Sequence, residues 1–366
     1  MAQPHSLLTY FEGLKDPRMD RTQKHPMESL VFISVAAITC GADSWNEIQE
    51  FGQAKQEWLS GVVPLPNGIP SHDTFNRFYA ALEPGSFEEC FAQWTASIAG
   101  RTKGEVVSID GKTLRGSRGV NASAAHVITA WSGSNQLSLG QLRTGDKTNE
   151  SKVIPELLSM LFLEGCVVTI DAAGCYSPIA QAIVDKGAHY VLCAKANQPD
   201  LLTGIEQSFA LKPIVENWED TDADHGRITT RTCAVVADLE LIPHPEKWPG
   251  LRSIARVDSE VYHKATGKKS SMTRYFITTL PPEAKLIGTA ARAHWSIENG
   301  LHWQLDVSYR EDASRKRKDN AALNFSTLTK MTLTMLKRDT TTKVGIKSKR
   351  LKAGWDNHYL LKVLGL

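Results

Sequence analysis

Two aspartates in this sequence end apolar, β-branched runs. Asp110 closes VVSID and is followed by Gly, and Asp171 closes CVVTID and is followed by Ala-Ala-Gly. Runs of this kind read as buried strands. Two carboxylates at the ends of adjacent buried strands approach one another closely, which is unfavourable unless cations neutralise them, and divalent metals with oxygen ligands do that. Either aspartate alone would serve equally well as a turn acceptor at a strand end. The matched pair is what points to metal chemistry. A third ligand is expected from a later element, and a helix over 293–305 offers Glu298, which shares a face with His294, Leu301, His302 and Leu305. A carboxylate on a buried face needs a partner. His294, Glu298 and His302 also form an i, i+4, i+8 series that could take a transition metal, although such a ladder wraps poorly around one ion. Glu311 and Asp312 are alternative third acids, or local partners of Arg310 and the basic run after it.

The elements that must position these groups are legible in outline. Residues 1–100 read as a helical N-terminal domain, with apolar positions in LVFISVAAITCGA and SWNEIQEFGQAKQEWL recurring near 3.6. Ser71 is placed to cap a helix beginning at HDTFNRFYAAL, with Asp73 in its first turn. A helix-turn-helix is one reading of this region, but its 6 Lys and Arg against 12 Asp and Glu favour packing or dimerisation over DNA contact. Beyond Gly104, EVVSIDGKTL, AHVITAWSG and QLSLGQLRT form a three-strand meander. Helix ESKVIPELLSML, strand CVVTID, helix SPIAQAIVDKG and strand HYVLCAKA follow. That order predicts an α/β, RNase H-like core over 104–200, a mixed sheet flanked by helices. Residues 201–283 read as a β-rich insertion. The core resumes over 284–340 with the helix carrying the third acid, and 341–366 reads as a basic C-terminal tail.

Composition narrows the class further. The 366 residues are 42% hydrophobic and 22% charged, so the chain can bury a sizeable core and is not a disordered segment. It lacks an uninterrupted apolar run of about 20 residues and a leader-like N-terminus, so a soluble, cytoplasmic protein is expected. The six cysteines show no C-x-x-C pair and several lie in apolar runs, the pattern of buried free thiols. The net charge of +2 hides an asymmetry: residues 313–366 hold 13 Lys and Arg against 3 Asp, while the rest of the chain is net −8. Blocks such as SRKRK and KSKRLK suit phosphate contacts or a solvated tail.

The segments GADSWNEIQEFGQAK, PLPNGIPSHDTFNRF, SIDGKTLRGS, KTNE at 147–150, TIDAAG, KANQ, HGRITTR, HWSIENGLHWQLDVSYRED and KRLKAGWDNHYLLKVL together resemble the H-repeat-associated family of bacterial DDE insertion-sequence transposases. The resemblance runs from about residue 6 to the C-terminus. It implies that Asp110, Asp171 and Glu298 are the catalytic, metal-binding triad, and that 201–282 correspond to the strand insertion of related transposases. It implies two Mg²⁺ ions, for which Mn²⁺ can substitute, and in-line phosphoryl transfer on double-stranded DNA, first by water at the element end and then by the freed 3′-hydroxyl on target DNA. The implied assembly is a homodimer on DNA. One departure stands out: the wider group carries Tyr, Arg and Lys around the glutamate where this chain has Ala291, His294 and Leu305. Basic duties are then expected of His294, Arg292, Arg315 or Lys316, with further phosphate contacts from Lys112, Arg115, Lys195, Arg227 and Arg231. Asn197 and Gln198 are expected near the rim of the site, and Trp295 and Trp303 in the core. An inactive DNA-binding relic, or a nuclease that cuts without joining, are the alternatives. The departures around Glu298 favour the relic, and the intact triad opposes it.

Overall fold

The computed structural model describes residues 7–99, 104–119, 123–145, 150–224 and 226–366, so Lys147, Thr148 and Asn149 of the KTNE motif and His225 lie outside the described residues. Residues 7–99 are mainly helical, as expected. Helix α1 (Met27–Thr39) is apolar on every side and is buried from Ser29 to Thr39, the mark of a central helix. Around it lie α2 (Trp45–Ala54), α3 (Gln56–Ser60), α4 (His72–Ala81) and α5 (Pro84–Ile98). Ser44 accepts from the Glu47 N–H and Ser71 from the Thr74 N–H, so both helices start at serine caps. Pro84 opens α5, where Glu83 accepts from the N–H groups of Gly85 and Ser86.

The core begins with β1 (Val106–Thr113), β2 (His126–Ser132) and β3 (Leu137–Thr144), an antiparallel meander. Helix α6 (Glu150–Met160) crosses to β4 (Val167–Ile170), and α7 (Ser177–Asp185) to β5 (His189–Ala194). β4 lies parallel to both β1 and β5, giving the order β3-β2-β1-β4-β5 of an RNase H-like sheet. Helix α8 (Pro199–Leu211) comes next, so the β-rich stretch starts later than residue 201. It contains β6 (Glu216–Asp224), β7 (Arg227–Val236), β8 (Ser253–His263) and β9 (Lys269–Thr278). These four antiparallel strands extend the core sheet itself. β9 pairs with β5 from Val191↔Thr278 to Ala194↔Tyr275, and the nine strands among the described residues make one sheet.

Helix α9 (Ala284–Ala293) covers one face of that sheet, laying Ile287, Ala290 and Ala291 on Val191, Cys193 and Phe276. On the other face α6, α7 and α8 bury Leu157, Ile179, Ile183 and Ile205 against Val168, Tyr190 and Leu192. After α10 (Trp303–Ser308) the chain returns to the helical domain through α11 (Ala321–Arg338), α12 (Ile346–Trp355) and α13 (Asn357–Leu364). The basic tail of the sequence reading is therefore two packed helices. Arg350 is 4% exposed and donates to the carbonyls of Ile38 and Ala42, while Lys349 donates to that of Leu336. All six cysteines are free thiols, four of them buried. Among the described residues no helix is long and apolar enough to cross a membrane.

Candidate active site

Asp110 lies within β1, which runs on to Thr113, and Asp171 directly follows β4. The two strands are parallel with Ile109 level with Ile170, so the aspartates occupy the next position on each. The glycine after Asp110 is required by close packing: a Cβ on Gly111 would come within 2.6 Å of His126 Nε2 and 2.7 Å of Glu150 Oε1. Those two groups form a pair at 2.6 Å beneath the strand. Asp171 caps a short turn, its Oδ1 accepting from the Ala173 N–H at 2.9 Å. Asn197 and Gln198 pin that turn by donating to the carbonyls of Ala172 and Cys175.

Glu298 comes from an interrupted helix. α9 ends at Ala293, a π-helical turn spans Glu298–His302, and α10 follows. π-turns of this kind recur at functional sites. This one is anchored by Ile297, Leu301 and Leu305, all fully buried in the helical core. It lies so close to the Trp131 indole that a Cβ on Gly300 would come within 2.8 Å of it. The expected continuous helix over 293–305 thus has its register broken at the residue that matters. His294, Glu298 and His302 still face the sheet, but not one common ion. His294 Nδ1 is 3.2 Å from Thr169 Oγ1, whereas His302 Nδ1 is 3.5 Å from both Asp110 Oδ2 and Glu298 Oε2.

Asp110, Glu298 and His302 present potential ligand atoms within 4.8 Å of one another. Asp171 lines the same cleft, of about 140 Å³, together with Thr169, Lys195, Arg274 and His294. It does not join the tighter cluster, and one of its oxygens is committed to the Ala173 cap. Burial pushes Asp110 up to about 6, with the negative charges of Glu298 and Asp171 adding to the rise and His302 opposing it. The hydrogen bond from His302 holds Glu298 below the ordinary glutamate range. Burial lowers His294, against the pull of Asp171. His302 Nε2 is buried without a hydrogen-bond partner among the described residues.

The basic residues singled out from sequence fall into two groups. Lys112 donates to Asp306 at 2.5 Å and pairs with Glu311 at 3.0 Å, with only 10% of its side chain exposed. Lys316 is also buried, its ammonium on the Asp43 carbonyl at 2.8 Å and over the Phe325 ring. Both are held by internal partners and neither is presented to a phosphate in this structure. The phosphate role expected of them from sequence would require those contacts to open, and Glu311 also accepts from the Ser326 hydroxyl. Arg292 is bound by Asp220 and Asp222, and Asp222 also takes Arg231. Arg115 is exposed and lies 3.5 Å from Asp312. Arg227 and Arg315 are exposed away from the cleft, and Lys195 is exposed at its rim. Trp295 and Trp303 are 48% and 55% exposed, so the expectation that they are core residues is wrong. The apolar stripe of this segment runs through Ile297, Leu301 and Leu305 instead, and both tryptophans lie off it. Sequence reasoning missed Thr169, which shares a face with Asp171 two residues on, and Arg274, which reaches the cleft only through the pairing of β9 with β5, and it undervalued His302.

The sheet is RNase H-like, with acids on adjacent parallel strands and a third acid brought beside them from a helical turn. The family described as Transposase DDE domain matches residues 101–335, and the one described as DDE_Tnp_1-associated matches residues 8–95. A relative in Escherichia coli O157:H7 named "Putative transposase YncI" is 37% identical, over 98% of this chain and 94% of that one. Another in Escherichia coli K12, "H repeat-associated putative transposase YhhI", is 35% identical over 98% of this chain and 97% of that one. A solved piggyBac transposase synaptic complex with hairpin DNA aligns with a TM-score of 0.44 at 11% identity, over 94% of this chain and 74% of that one. The chain belongs to the DDE transposase family.

Proposed function

We propose that this chain cuts DNA at the ends of an insertion sequence and joins the freed 3′-hydroxyl to target DNA, with Asp110, Asp171 and Glu298 as the catalytic carboxylates. The observation that carries the reading is the convergence of Asp110, Glu298 and His302 within 4.8 Å in a cleft also lined by Asp171. So much negative charge around a buried aspartate is costly without a cation. The oxygen donors fit Mg²⁺, with Mn²⁺ as substitute. Asp110, Asp171 and Glu298 would hold it. Bound there, the metal supplies neutralising charge and an activated oxygen nucleophile.

The remaining work belongs to the chain's own residues. β1 and β4 hold two carboxylates in register, and the π-turn aims the third across them. His302 bridges Asp110 and Glu298 and so restrains both side chains. Thr169 ties His294, and with it the end of α9, to the sheet. Such positioning is what in-line transfer needs. Two chains acting on two element ends would make the working unit a dimer on DNA.

The test uses purified protein and labelled DNA carrying the sequence that flanks its own gene, in Mg²⁺ and in EDTA, beside Asp171→Ala. Metal-dependent nicking with a joined product, both absent in the variant, is the expected result. Nicking without joining would leave a nuclease. Binding without either product would sink the enzymatic reading in favour of a DNA-binding relic.

A further inference from the structure

A phosphodiester brought beside three carboxylates needs a cation, and most cations near the site are already committed. Lys112 is held by Asp306 and Glu311, and Arg292 by Asp220 and Asp222. His294 is bonded to Thr169, and its burial favours the neutral ring. Two cations line the cleft, Lys195 and Arg274, and among the described residues neither has a carboxylate within ion-pair distance. They differ in how well they are held. Lys195 is exposed at the rim, whereas Arg274 is half-buried with its guanidinium 4.8 Å over the Trp295 ring. Stacking fixes the plane of a guanidinium and leaves its in-plane N–H donors free, the arrangement suited to a two-pronged grip on phosphate oxygens.

Strand pairing places that guanidinium. β9 lies beside β5 with Phe276 opposite Cys193, and both side chains line the cleft. Arg274 is two residues further along β9 and so shares their face. Beyond it on the same face come Met272, 53% exposed, and Ser270, also exposed. That is an open, uncharged lane leading to the acids.

We propose that Arg274, held by Trp295, grips a backbone phosphate of the DNA strand at the cut, so that the strand enters the cleft across β9. The inference rests on the DNA-cutting reading above. It goes beyond that reading in giving the phosphate contact to the inserted strands rather than to the helix that carries Glu298.

The full chain is compared with Arg274→Gln, Arg274→Lys, Trp295→Leu and Lys285→Gln, the last removing an exposed charge elsewhere on α9. The probe is a labelled duplex copied from the DNA flanking the gene. Affinity is measured against salt without Mg²⁺, and cleavage with it. Arg274→Gln should flatten the dependence of log affinity on log salt by about 0.9, the value for one lost phosphate contact. It should also slow cleavage on the order of 10- to 100-fold. Arg274→Lys should restore the salt slope but only part of the rate, and Trp295→Leu should keep the slope and lose rate. Lys285→Gln should match wild type. An Arg274→Gln protein that melts like wild type and keeps both slope and rate overturns the inference and leaves the DNA-cutting reading intact. A wild-type chain that binds the duplex without cutting refutes that reading alone, because the salt slope still judges Arg274. A wild type that does not bind overturns both.

Discussion

Replacing Glu88 by Gln should remove one large source of the stability this protein loses as pH rises through about 7. Glu88 lies on α5 and is 3% exposed. Its Oε1 accepts from Gln141 Nε2 at 2.5 Å and from the Thr327 hydroxyl, while Oε2 is buried with no partner among the described residues. Burial pushes the carboxyl up to about 7 from an ordinary 4.5, with the hydrogen bonds from Thr327 and Gln141 and the charge of Lys330 opposing the rise. The folded state therefore holds a proton that the unfolded chain releases near 4.5. The stability this contributes is fully present below that value and is lost as pH climbs through about 7. A gap of about 2.5 pH units at about 1.4 kcal/mol each comes to roughly 3 kcal/mol. In the Gln variant the amide NH₂ takes the place of the protonated Oε2, which likewise lacks an acceptor, so the two proteins should match in acid. Urea unfolding from about pH 5 to about pH 8 should show the variant drawing ahead by roughly 3 kcal/mol. Stability curves that stay parallel across that range would refute the reasoning. They would mean that Glu88 is ionised throughout, paired with the buried Lys330.

Gly300→Ala puts a Cβ 2.8 Å from the ring of Trp131, which is fully buried and cannot retreat. It should cost about 1–3 kcal/mol in thermal unfolding. DNA cleavage should fall by more than the unfolded fraction explains, and full activity in the folded variant would show that the π-turn does not set Glu298. Lys112→Met takes one of two cations from buried Glu311, leaving Lys330, and should cost about 1–3 kcal/mol in urea unfolding. The salt dependence of DNA binding should stay unchanged; a flatter slope would return Lys112 to the phosphate contacts. Trp303→Ala removes a half-exposed ring and should leave stability within about 0.5 kcal/mol, and a loss several times larger would restore Trp303 to the core.

The parts of the site carried by local pattern could be read from sequence. VVSID and CVVTID announce buried strands carrying acids, although β1 runs on past Asp110 to Thr113, and the meander before Thr144 is marked by its turns. The serine cap at Ser71 signals its helix. Pairing between distant strands is invisible in such patterns, so Arg274 could not be placed beside Asp171 before β9 was seen against β5. Nothing in ENWEDTDAD marks it as a strand, since it has the composition of a loop. Its acids are tolerated on an edge strand, where charge also discourages further pairing, and two of them bind Arg292 and Arg231. Charge itself misled in one respect. The basic C-terminal stretch suggested a solvated arm, yet Lys349, Arg350 and Lys316 spend their donors on backbone carbonyls inside the protein.

The helical domain is made of the two ends of the chain: Arg350 donates to the carbonyl of Ile38 across 312 positions, and one apolar core joins Leu30 and Phe75 to Met331 and Leu360. During synthesis α1 leaves the ribosome with an apolar surface all round and must wait for the last fifty or so residues before it can be covered. Contacts so distant in sequence form slowly and leave sticky intermediates exposed. The part made first is thus finished last. A gene copy truncated before α11 would yield a nascent chain whose opening helices never close, a substrate for proteases rather than a smaller working protein.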